Sequence, residues 1–319
     1  MKIIVLDGGV LNPGDLAWHA LEQLGDVTVY DSCNTEQVAE RLAGADIAIT
    51  NKVVLDDTLF SQCPALKMIA VTATGYNVVD IAAARARGIV VSNVPTYGTA
   101  TVAQFTTALM LELCNRVGEH DADVHAGGWT QRNTWCYWLK PMIEVAGKRV
   151  GIIGYGRIGQ AFGAVAQALG MEVLACSARS RSDEVRGDVR FVDLDTLYAE
   201  ADVISLHCPL TSETKGMINS AALQKMKPTA LLLNASRGEL VNEADLAAAL
   251  NEGRIAGAAV DVLSKEPAQA DNPLLSAKNC LITPHMAWAS VEARGRILST
   301  TIDNVKAFLD GQPQNRVDQ

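Results

Sequence analysis

The stretch Val150-Gly151-Ile152-Ile153-Gly154-Tyr155-Gly156-Arg157-Ile158-Gly159 joins an apolar run to a glycine-rich turn with the pattern G-x-G-x-x-G. The first glycine permits a tight turn, the second lets the backbone approach a pyrophosphate, and the third lets the following helix pack closely on the strand. Helical spacing over residues 160–169 and a β-rich run over 171–176 follow. The stretch therefore predicts a βαβ unit that binds a dinucleotide.

The same turn predicts which residues contact the phosphates. The first N–H groups of a helix have no partner within the helix, and the helix dipole is positive there, so a helix N-terminus binds anions. We expect the pyrophosphate to lie against Gly154, Gly156, Arg157, Ile158 and Gly159.

Strands and helices alternate along the rest of the chain. The predicted strands lie at 3–7, 27–30, 47–50, 68–72 and 89–92, with helical spacing at 15–24, 35–42, 57–63 and 80–87. After a long apolar helix at 98–114 and a Trp- and Gly-rich arm at 119–144, further strands start at 148, 189, 202, 230, 255 and 280. A last helix is predicted over 290–309. This alternation predicts an α/β fold of open, doubly wound parallel sheets covered by helices.

Composition limits the classes of protein that the chain can belong to. A length of 319 residues favours two domains, and a net charge of -9 disfavours nucleic acid as a partner. The seven cysteines show no spacing typical of metal ligands, so neither a metal site nor a disulfide framework is expected. Because no apolar run reaches signal-peptide or bilayer length, we expect a cytoplasmic protein without a membrane partner.

Polar residues follow several predicted strands, at the sheet edge where ligands of open α/β sheets bind. Arg237 follows one strand, Asp261 and Glu266 follow the next, and His285 follows another. Singly, such residues are more often a surface charge, a turn residue or a structural histidine. Together, a guanidinium, a carboxylate and an imidazole at one edge can bind a carboxylate and transfer a proton.

Four segments resemble the D-isomer-specific 2-hydroxyacid dehydrogenases over nearly the whole chain. They are the turn at 154–159, Asn234-Ala235-Ser236-Arg237-Gly238, Ala259-Val260-Asp261-Val262 with Glu266-Pro267, and Thr283-Pro284-His285. Two more, Val71-Thr72-Ala73-Thr74-Gly75-Tyr76-Asn77 and His285-Met286-Ala287-Trp288-Ala289-Ser290, are most similar to the branch of glycerate dehydrogenases and hydroxypyruvate or glyoxylate reductases.

This resemblance implies an architecture that the periodicity does not show. A Rossmann cofactor domain, residues 99–285, is expected to be inserted into a flavodoxin-like substrate domain formed by 1–98 and 286–319, with the active site in the cleft. An arm at about 115–145 is expected to mediate a homodimer. An arm tryptophan, Trp135 or Trp138, then either lines the active site of the partner subunit or is a simple interface aromatic.

The resemblance also implies roles for the strand-end residues. Arg237 would bind the substrate carboxylate and carbonyl, His285 would be the acid/base, and Glu266 would pair with His285. Their chemistry agrees: a carboxylate favours the imidazolium and orients the ring, and a guanidinium fork fits a carboxylate better than an ammonium does.

Further contacts are expected to both ligands. Those to the substrate are the backbone of Ala73, Thr74 and Gly75 and the side chains of Trp288 and Trp138. Those to the cofactor are His207, Cys208 and Pro209 on the adenine side, Ala235 and Ser236 at a strand end, and Asp261 at the nicotinamide carboxamide.

The end of the second strand of the βαβ unit indicates the type of cofactor. An acidic residue usually stands there and accepts hydrogen bonds from the ribose hydroxyls of NAD. Here the sequence reads Cys176-Ser177-Ala178-Arg179-Ser180-Arg181. Because Ser177, Arg179 and Arg181 could bind a 2′-phosphate that a carboxylate would repel, we predict that NADPH is preferred to NADH, which stays possible.

The resemblance implies an enzyme that reduces hydroxypyruvate or glyoxylate to D-glycerate or glycolate, and it leaves open another D-2-hydroxyacid specificity. A different class of function is a nucleotide-sensing binding protein, because corepressors resembling C-terminal binding protein share this architecture. Turnover of a 2-oxoacid with reduced cofactor would separate these two classes.

Overall fold

The computed structural model describes residues 1–178 and 184–319. The chain divides into two compact units. The terminal unit comprises Met1–Gly98 and Ala289–Gln319, and the central unit comprises Thr99–Trp288. The sequence prediction put the second boundary between residues 285 and 286.

The terminal unit contains a five-stranded parallel sheet. Its strands are β1 (Lys2–Val5), β2 (Asp26–Val29), β3 (Ile47–Thr50), β4 (Met68–Val71) and β5 (Val90–Ser92). Its first helices are α1 (Gly8–Leu11), α2 (His19–Glu22), α3 (Val38–Arg41), α4 (Asp57–Gln62) and α5 (Ile81–Ala86). The strand order β2-β1-β3-β4-β5 is that of flavodoxin-like folds, as predicted.

The central unit is built on a larger sheet. Its helices are α6 (Thr99–Asn115), α7 (Val117–His125), α8 (Gly128–Arg132), α9 (Arg157–Ala168), α10 (Leu194–Glu200), α11 (Ser220–Lys225) and α12 (Glu243–Asn251). Its strands are β6 (Arg149–Ile153), β7 (Glu172–Cys176), β8 (Val185–Arg186), β9 (Val189–Phe191), β10 (Val203–Leu206), β11 (Leu231–Asn234), β12 (Gly257–Val260) and β13 (Cys280–Ile282). The last helix of the chain, α13 (Val291–Leu309), belongs to the terminal unit.

The strands of the central sheet run in the order β13-β12-β11-β10-β6-β7-β9-β8. Their pairings are parallel, apart from the edge strand β8, which pairs antiparallel with β9 and was not predicted. The order reverses beside β6, so the glycine turn that follows β6 lies at the switch point of a Rossmann fold. The predicted arm contains the helices α7 and α8, where the sequence had indicated only a connector.

Each sheet is covered on both faces by an apolar core, which explains why its strands are continuous Val, Ile, Leu and Ala runs. In the terminal unit, α13 contributes Val305 to the core that contains Leu21 and Ile49, and these three residues are fully buried. Asn304 of α13 also donates a hydrogen bond to the carbonyl of Asn93 at 2.9 Å. The last helix therefore completes the unit in which the chain begins.

The helix predicted over residues 15–24 is wrong in length, since only the single turn α2 forms there. Polar contacts hold the preceding segment in a loop. Asn12 Oδ1 accepts a hydrogen bond from Leu16 N at 2.9 Å, and both carboxylate oxygens of Asp15 lie 2.6 Å from the guanidinium of buried Arg294. An asparagine that bonds nearby backbone competes with helix formation. Among the described residues, no helix is long and apolar enough to cross a bilayer.

Candidate active site

Glycines shape the turn between β6 and α9. Gly154 has a φ of 97°, in the region that favours glycine, and a Cβ at this position would collide with the backbone of Cys208. A Cβ at Gly159 would collide with the carbonyl oxygen of Gly154, whereas one at Gly156 would meet no atom within 4 Å. The turn thus leaves open space at Gly156, beside the N-terminus of a 12-residue helix that starts at Arg157. This arrangement fits the pyrophosphate of a dinucleotide.

The end of β7 carries no carboxylate. The strand ends at Cys176, and Ser177 and Ala178 follow. Burial raises the pKa of the Cys176 thiol, so that thiol stays neutral. Arg179 and Arg181, which the sequence predicts to bind a 2′-phosphate, lie outside the described residues.

His207 follows β10 and packs beneath the glycine turn. Its ring centroid lies 5.4 Å from that of Phe162 in α9, and its Nε2 lies 2.9 Å from Ser205 Oγ. Desolvation lowers the pKa of His207 to about 4, so the ring is neutral near pH 7. The next residue, Cys208, is buried, and its carbonyl accepts a hydrogen bond from Ser236 Oγ at 2.9 Å. These residues join the ends of β10 and β11.

A side-chain amide shapes the loop that carries Arg237. Asn234, the last residue of β11, accepts a hydrogen bond from Ser236 N at 3.1 Å and donates one to the carbonyl of Arg237 at 2.9 Å. A Cβ at Gly238 would collide with the backbone at Leu263, so only glycine lets this loop lie against the loop that follows β12. The Arg237 side chain is exposed, with Nη1 2.7 Å from the carbonyl of Ser236. Its remaining donors face solvent and are available to a carboxylate.

Asp261 organises the turn that carries His285. The carboxylate is 1% exposed and accepts hydrogen bonds from Thr283 Oγ1 at 2.6 Å, Met286 N at 2.9 Å and Ala287 N at 2.8 Å. Burial raises the pKa of this carboxyl against the opposing effect of those donors. The contact expected between Asp261 and a nicotinamide carboxamide stays a prediction.

His285 and Glu266 form a close pair at the ends of β12 and β13. His285 Nδ1 lies 2.6 Å from Glu266 Oε2, and the two side chains are 29% and 35% exposed. Glu266 Oε1 accepts a hydrogen bond from Leu263 N at 3.1 Å, which fixes the carboxylate. The backbone of His285 has a φ of 53°, and its N–H donates to the carbonyl of Asp261 at 2.7 Å. An unusual conformation held by such contacts is typical of functional residues.

The two candidate tryptophans differ in their surroundings. Trp288 is half-buried, and its Nε1 donates to the carbonyl of His285 at 3.0 Å, so it belongs to the same turn. Trp138 lies on the arm and is 63% exposed. Within its own chain, Trp138 is therefore not packed into the cluster of Arg237, Glu266 and His285.

In the terminal unit, the loop after β4 presents backbone donors. Thr74 Oγ1 donates to the carbonyl of Val94 at 2.8 Å, and Asn93 Nδ2 donates to the carbonyl of Thr74 at 2.8 Å. These bonds hold the loop from one side. Among the described residues, the N–H groups of Thr74 and Gly75 have no acceptor, and both residues are exposed. Consecutive N–H groups of this kind can bind an anion.

Two supporting residues, Asn234 and Thr283, were not singled out from the sequence. Asn234 holds the Arg237 loop, and Thr283 donates to Asp261. The pattern Asn-x-Ser at a strand end is a signal of an Asx turn and could have indicated Asn234. Nothing in the local pattern indicates that Thr283 pairs with Asp261. Within the described part of the chain, no three His, Cys, Asp or Glu side chains group as metal ligands would.

Comparison with known proteins agrees with this geometry. Residues 107–287 match the model of the D-isomer specific 2-hydroxyacid dehydrogenase, NAD binding domain. The chain is 51% identical over 322 residues to a hydroxypyruvate reductase of Blautia hydrogenotrophica, covering 100% of both chains. It is 44% identical over 292 residues to a glycerate dehydrogenase of Methylorubrum extorquens, covering 91% of each. The apo structure of D-lactate dehydrogenase from Escherichia coli superposes with a TM-score of 0.86 at 28% identity, covering 99% of this chain and 100% of that one.

The matching family model spans the glycine turn and all three strand ends that carry Arg237, Glu266 and His285. The chain belongs to the D-isomer-specific 2-hydroxyacid dehydrogenase family of oxidoreductases, which use a nicotinamide cofactor.

Proposed function

We propose that this protein reduces hydroxypyruvate or glyoxylate to D-glycerate or glycolate and that it prefers NADPH as the reductant. The observation that carries the proposal is the pair of His285 Nδ1 and Glu266 Oε2, 2.6 Å apart, at the sheet edge that also carries Arg237. The names of the two relatives, hydroxypyruvate reductase and glycerate dehydrogenase, support the substrate class.

The imidazole of His285 acts as the acid in reduction. A reduced nicotinamide cofactor, with its pyrophosphate held at the glycine turn, would supply the hydride to the 2-oxo carbon of the substrate. Negative charge then develops on the 2-oxo oxygen, which needs a proton. Because Glu266 engages Nδ1, the nitrogen that donates this proton is Nε2, and the carboxylate stabilises the charged ring before transfer. In the reverse direction the neutral ring takes the proton back.

Arg237 is proposed to bind the substrate carboxylate and to donate a hydrogen bond to the 2-oxo oxygen. Its guanidinium is exposed at the end of β11 and keeps several donors for a ligand. The bidentate fork fixes both the charge and the plane of the carboxylate, which positions the neighbouring carbonyl. The N–H groups of Thr74 and Gly75, with Ala73 before them, are proposed as further donors to the same carboxylate.

The residues proposed to hold the cofactor surround the switch point of the central sheet. Gly154, Gly156, Arg157, Ile158 and Gly159 are proposed to hold the pyrophosphate, supported by the open space at Gly156. His207, Cys208 and Pro209 would form the wall on the adenine side, Ala235 and Ser236 would lie toward the nicotinamide, and Asp261 would contact the carboxamide. The neutral state of His207 suits packing against an uncharged ring.

The preference for NADPH rests on the end of β7. A carboxylate at that position would repel a 2′-phosphate, and Ser177 stands there instead. Arg179 and Arg181 follow within a few residues and can form charge-assisted hydrogen bonds to the phosphate. Binding of the 2′-phosphate by this segment should weaken as the salt concentration rises.

Substrate size and assembly are proposed from the tryptophans. Trp288, fixed to the His285 turn, restricts the space beyond the substrate's C3 atom.

The arm exposes large apolar side chains, with Trp135 at 90%, Trp138 at 63% and Met142 at 60% exposure. Because large exposed apolar side chains on one short segment are typical of an interface, we propose that the arm mediates a homodimer in which Trp138 reaches the partner's active site.

Steady-state kinetics tests the reaction. Hydroxypyruvate, glyoxylate, pyruvate and phenylpyruvate are each assayed with NADPH and with NADH at equal salt. The expected result is the highest kcat/KM for hydroxypyruvate or glyoxylate with NADPH. If phenylpyruvate gave the highest value, the substrate assignment would be wrong. If no 2-oxoacid were turned over while nucleotide changed the oligomeric state, the nucleotide-sensing alternative would be favoured.

Light scattering coupled to gel filtration tests the assembly. The wild type should elute with twice the mass of one chain, and Trp135→Ser should shift the equilibrium toward monomer without unfolding the protein. The control is Val54→Ser, at an exposed site of the terminal unit. Trp18→Ser would not serve as a control because Trp18 packs against a core. A monomeric wild type would contradict the proposal.

A further inference from the structure

A carboxylate outside the proposed catalytic pair holds the loop that carries Glu266. Glu243 is the first residue of α12, and its Oε1 accepts a hydrogen bond from Ser264 N at 2.7 Å. Its Oε2 accepts from Ser264 Oγ at 2.8 Å and from Asn272 Nδ2 at 2.9 Å. Both oxygens of Glu243 are therefore engaged by the connection that follows β12, and all of these residues belong to the central unit.

The hydrogen bonds to Glu243 lie on both sides of Glu266 along the chain. Ser264 precedes Glu266, and Asn272 follows it and caps the 3-10 turn Pro273–Ser276, with Oδ1 accepting from Leu274 N at 3.0 Å. Residues 264–268, between these two points, are exposed. Because exposed backbone has few buried contacts, its conformation depends on hydrogen bonds of this kind.

The hold on Ser264 is transmitted to the carboxylate of Glu266. Leu263 N, in the residue before Ser264, donates to Glu266 Oε1 at 3.1 Å, and His285 Nδ1 lies 2.6 Å from Glu266 Oε2. The N–H that fixes Glu266 and the N–H that is fixed by Glu243 thus belong to consecutive residues. A continuous series of contacts therefore runs from Glu243 to the imidazole of His285.

We infer that Glu243 is a positioning residue that sets the orientation of the Glu266 carboxylate toward His285. This inference rests on the proposed function. A displacement of about 1 Å in a catalytic arrangement can lower a rate by as much as about a hundredfold. The loop of Arg237 is held separately by the side chain of Asn234, at 2.9 Å from the carbonyl of Arg237. Loss of Glu243 should therefore lower kcat and leave KM nearly unchanged.

Two substitutions at Glu243 separate its geometry from its charge. Glu243→Gln keeps the length of the side chain but leaves one oxygen to serve three donors, and we expect kcat to fall by about threefold to thirtyfold, with KM within about twofold of the wild-type value. Glu243→Asp keeps the charge at the start of α12 but draws the carboxylate back by one methylene. It should lower kcat by a similar factor, whereas a role limited to the helix dipole predicts the kcat of the wild type.

A double-mutant cycle tests whether Glu243 acts through Glu266. In the Glu266→Gln background, Glu243→Gln should change kcat by less than about twofold, because the group that it positions has already lost its charge. A merely structural role predicts the same fold-loss of kcat in both backgrounds.

The matched control is Asp245→Asn. Asp245 also lies in the first turn of α12, and its Oδ2 accepts from Ser220 N at 2.8 Å, at the start of α11. This variant makes the same change of charge in the same turn and removes a hydrogen bond to a different loop. It should lower the urea midpoint of unfolding and leave kcat unchanged.

The experiment measures initial rates with hydroxypyruvate and NADPH, together with urea unfolding, for the full-length wild type, Glu243→Gln, Glu243→Asp, Asp245→Asn, Glu266→Gln and Glu243→Gln/Glu266→Gln. Wild-type kcat in both single variants at Glu243, or an equal fold-loss in the two backgrounds, would overturn the inference while the proposed function stands. Ser264→Ala, which removes only the hydroxyl donor, gives the same comparison with a smaller expected loss if a variant at Glu243 does not fold. A wild type that reduces no 2-oxoacid, or wild-type kcat in Glu266→Gln, would overturn the proposed function itself.

Discussion

The Nδ1 atom of His285 lies 2.6 Å from Oε2 of Glu266, and the other carboxylate oxygen accepts a hydrogen bond from Leu263 N at 3.1 Å. The carboxylate is thus fixed by the backbone before it meets the imidazole. With Nδ1 engaged, Nε2 is the nitrogen left for the proton transfer that we propose. The same relationship predicts that the two residues act as one functional group.

We expect His285→Ala to lower kcat by about a hundredfold or more, because a positioned general acid contributes that much. Glu266→Gln keeps a side chain of equal size but removes the charge, and should lower kcat by roughly tenfold to a hundredfold. In the His285→Ala background the Glu266→Gln change should have little further effect, because residues that act as a unit are not additive. Glu252→Gln, at an exposed helix end, is the control. Additive losses in kcat would contradict the pairing.

Arg237→Lys should lower kcat/KM by about tenfold to a thousandfold through both parameters, because the charge stays but the fork is lost. Glyoxylate and hydroxypyruvate should be affected alike, since both have the carboxylate that Arg237 is proposed to bind. Initial rates over a range of substrate concentrations separate KM from kcat. If Arg237→Lys had the KM and kcat of the wild type, Arg237 would lie outside the site.

Ser177→Asp should reverse the cofactor preference. The new carboxylate repels a 2′-phosphate and accepts hydrogen bonds from ribose hydroxyls, so the ratio of kcat/KM for NADPH to that for NADH should fall by about tenfold or more. The same ratio in the wild type should fall as salt is raised from low to physiological ionic strength. A higher kcat/KM with NADH than with NADPH in the wild type would show that the residues at the end of β7 do not favour NADPH.

Asp261→Asn should destabilise the turn that carries His285. An asparagine offers one acceptor where the carboxylate serves three donors, and it turns an NH2 group toward buried N–H groups. We expect a loss of about 1–3 kcal/mol in the free energy of unfolding, with a lower kcat. Urea unfolding at constant pH measures the first effect. The control is Asp271→Asn, at an exposed site of the same unit, and an equal effect in both variants would contradict the role of Asp261.

His207 should make stability depend on pH. Its pKa falls from an ordinary value of 6.5 to about 4 in the folded protein. Between these values the unfolded chain binds a proton that the folded chain does not, so stability is complete above pH 6.5 and decreases as pH falls. The decrease by pH 4 should reach about 3 kcal/mol.

Urea unfolding curves between pH 7 and pH 4.5 measure this dependence. His207→Gln should flatten it, whereas His19→Gln should not, because His19 is an exposed surface histidine. Parallel pH profiles for the wild type and His207→Gln would show that the folded ring takes up its proton as readily as the unfolded one.

The sequence by itself determined the fold class and the order of most elements. Strands buried on both faces are continuous apolar runs, and the glycine turn at 154–159 can be recognised from the spacing of its glycines along the chain. The helices α4, α5 and α12 are capped by the residue just before each of them, Asp56, Asp80 and Asn242, whose side chain accepts a hydrogen bond from the N–H three residues ahead. Such caps are visible in the sequence alone.

Only the tertiary structure decided which polar groups meet. Arg294 reaches Asp15 and helps to replace a predicted helix by a loop, and Asp7 binds the backbone of Asn51 and Lys52. Asp261 likewise turns inward to Met286 and Ala287. When two side chains are tens or hundreds of residues apart, sheet order and burial decide whether they meet. Hydrogen bonds of this kind produce no periodic pattern in the sequence. The residues that hold the loops and turns of the candidate site therefore could not be identified without the tertiary structure.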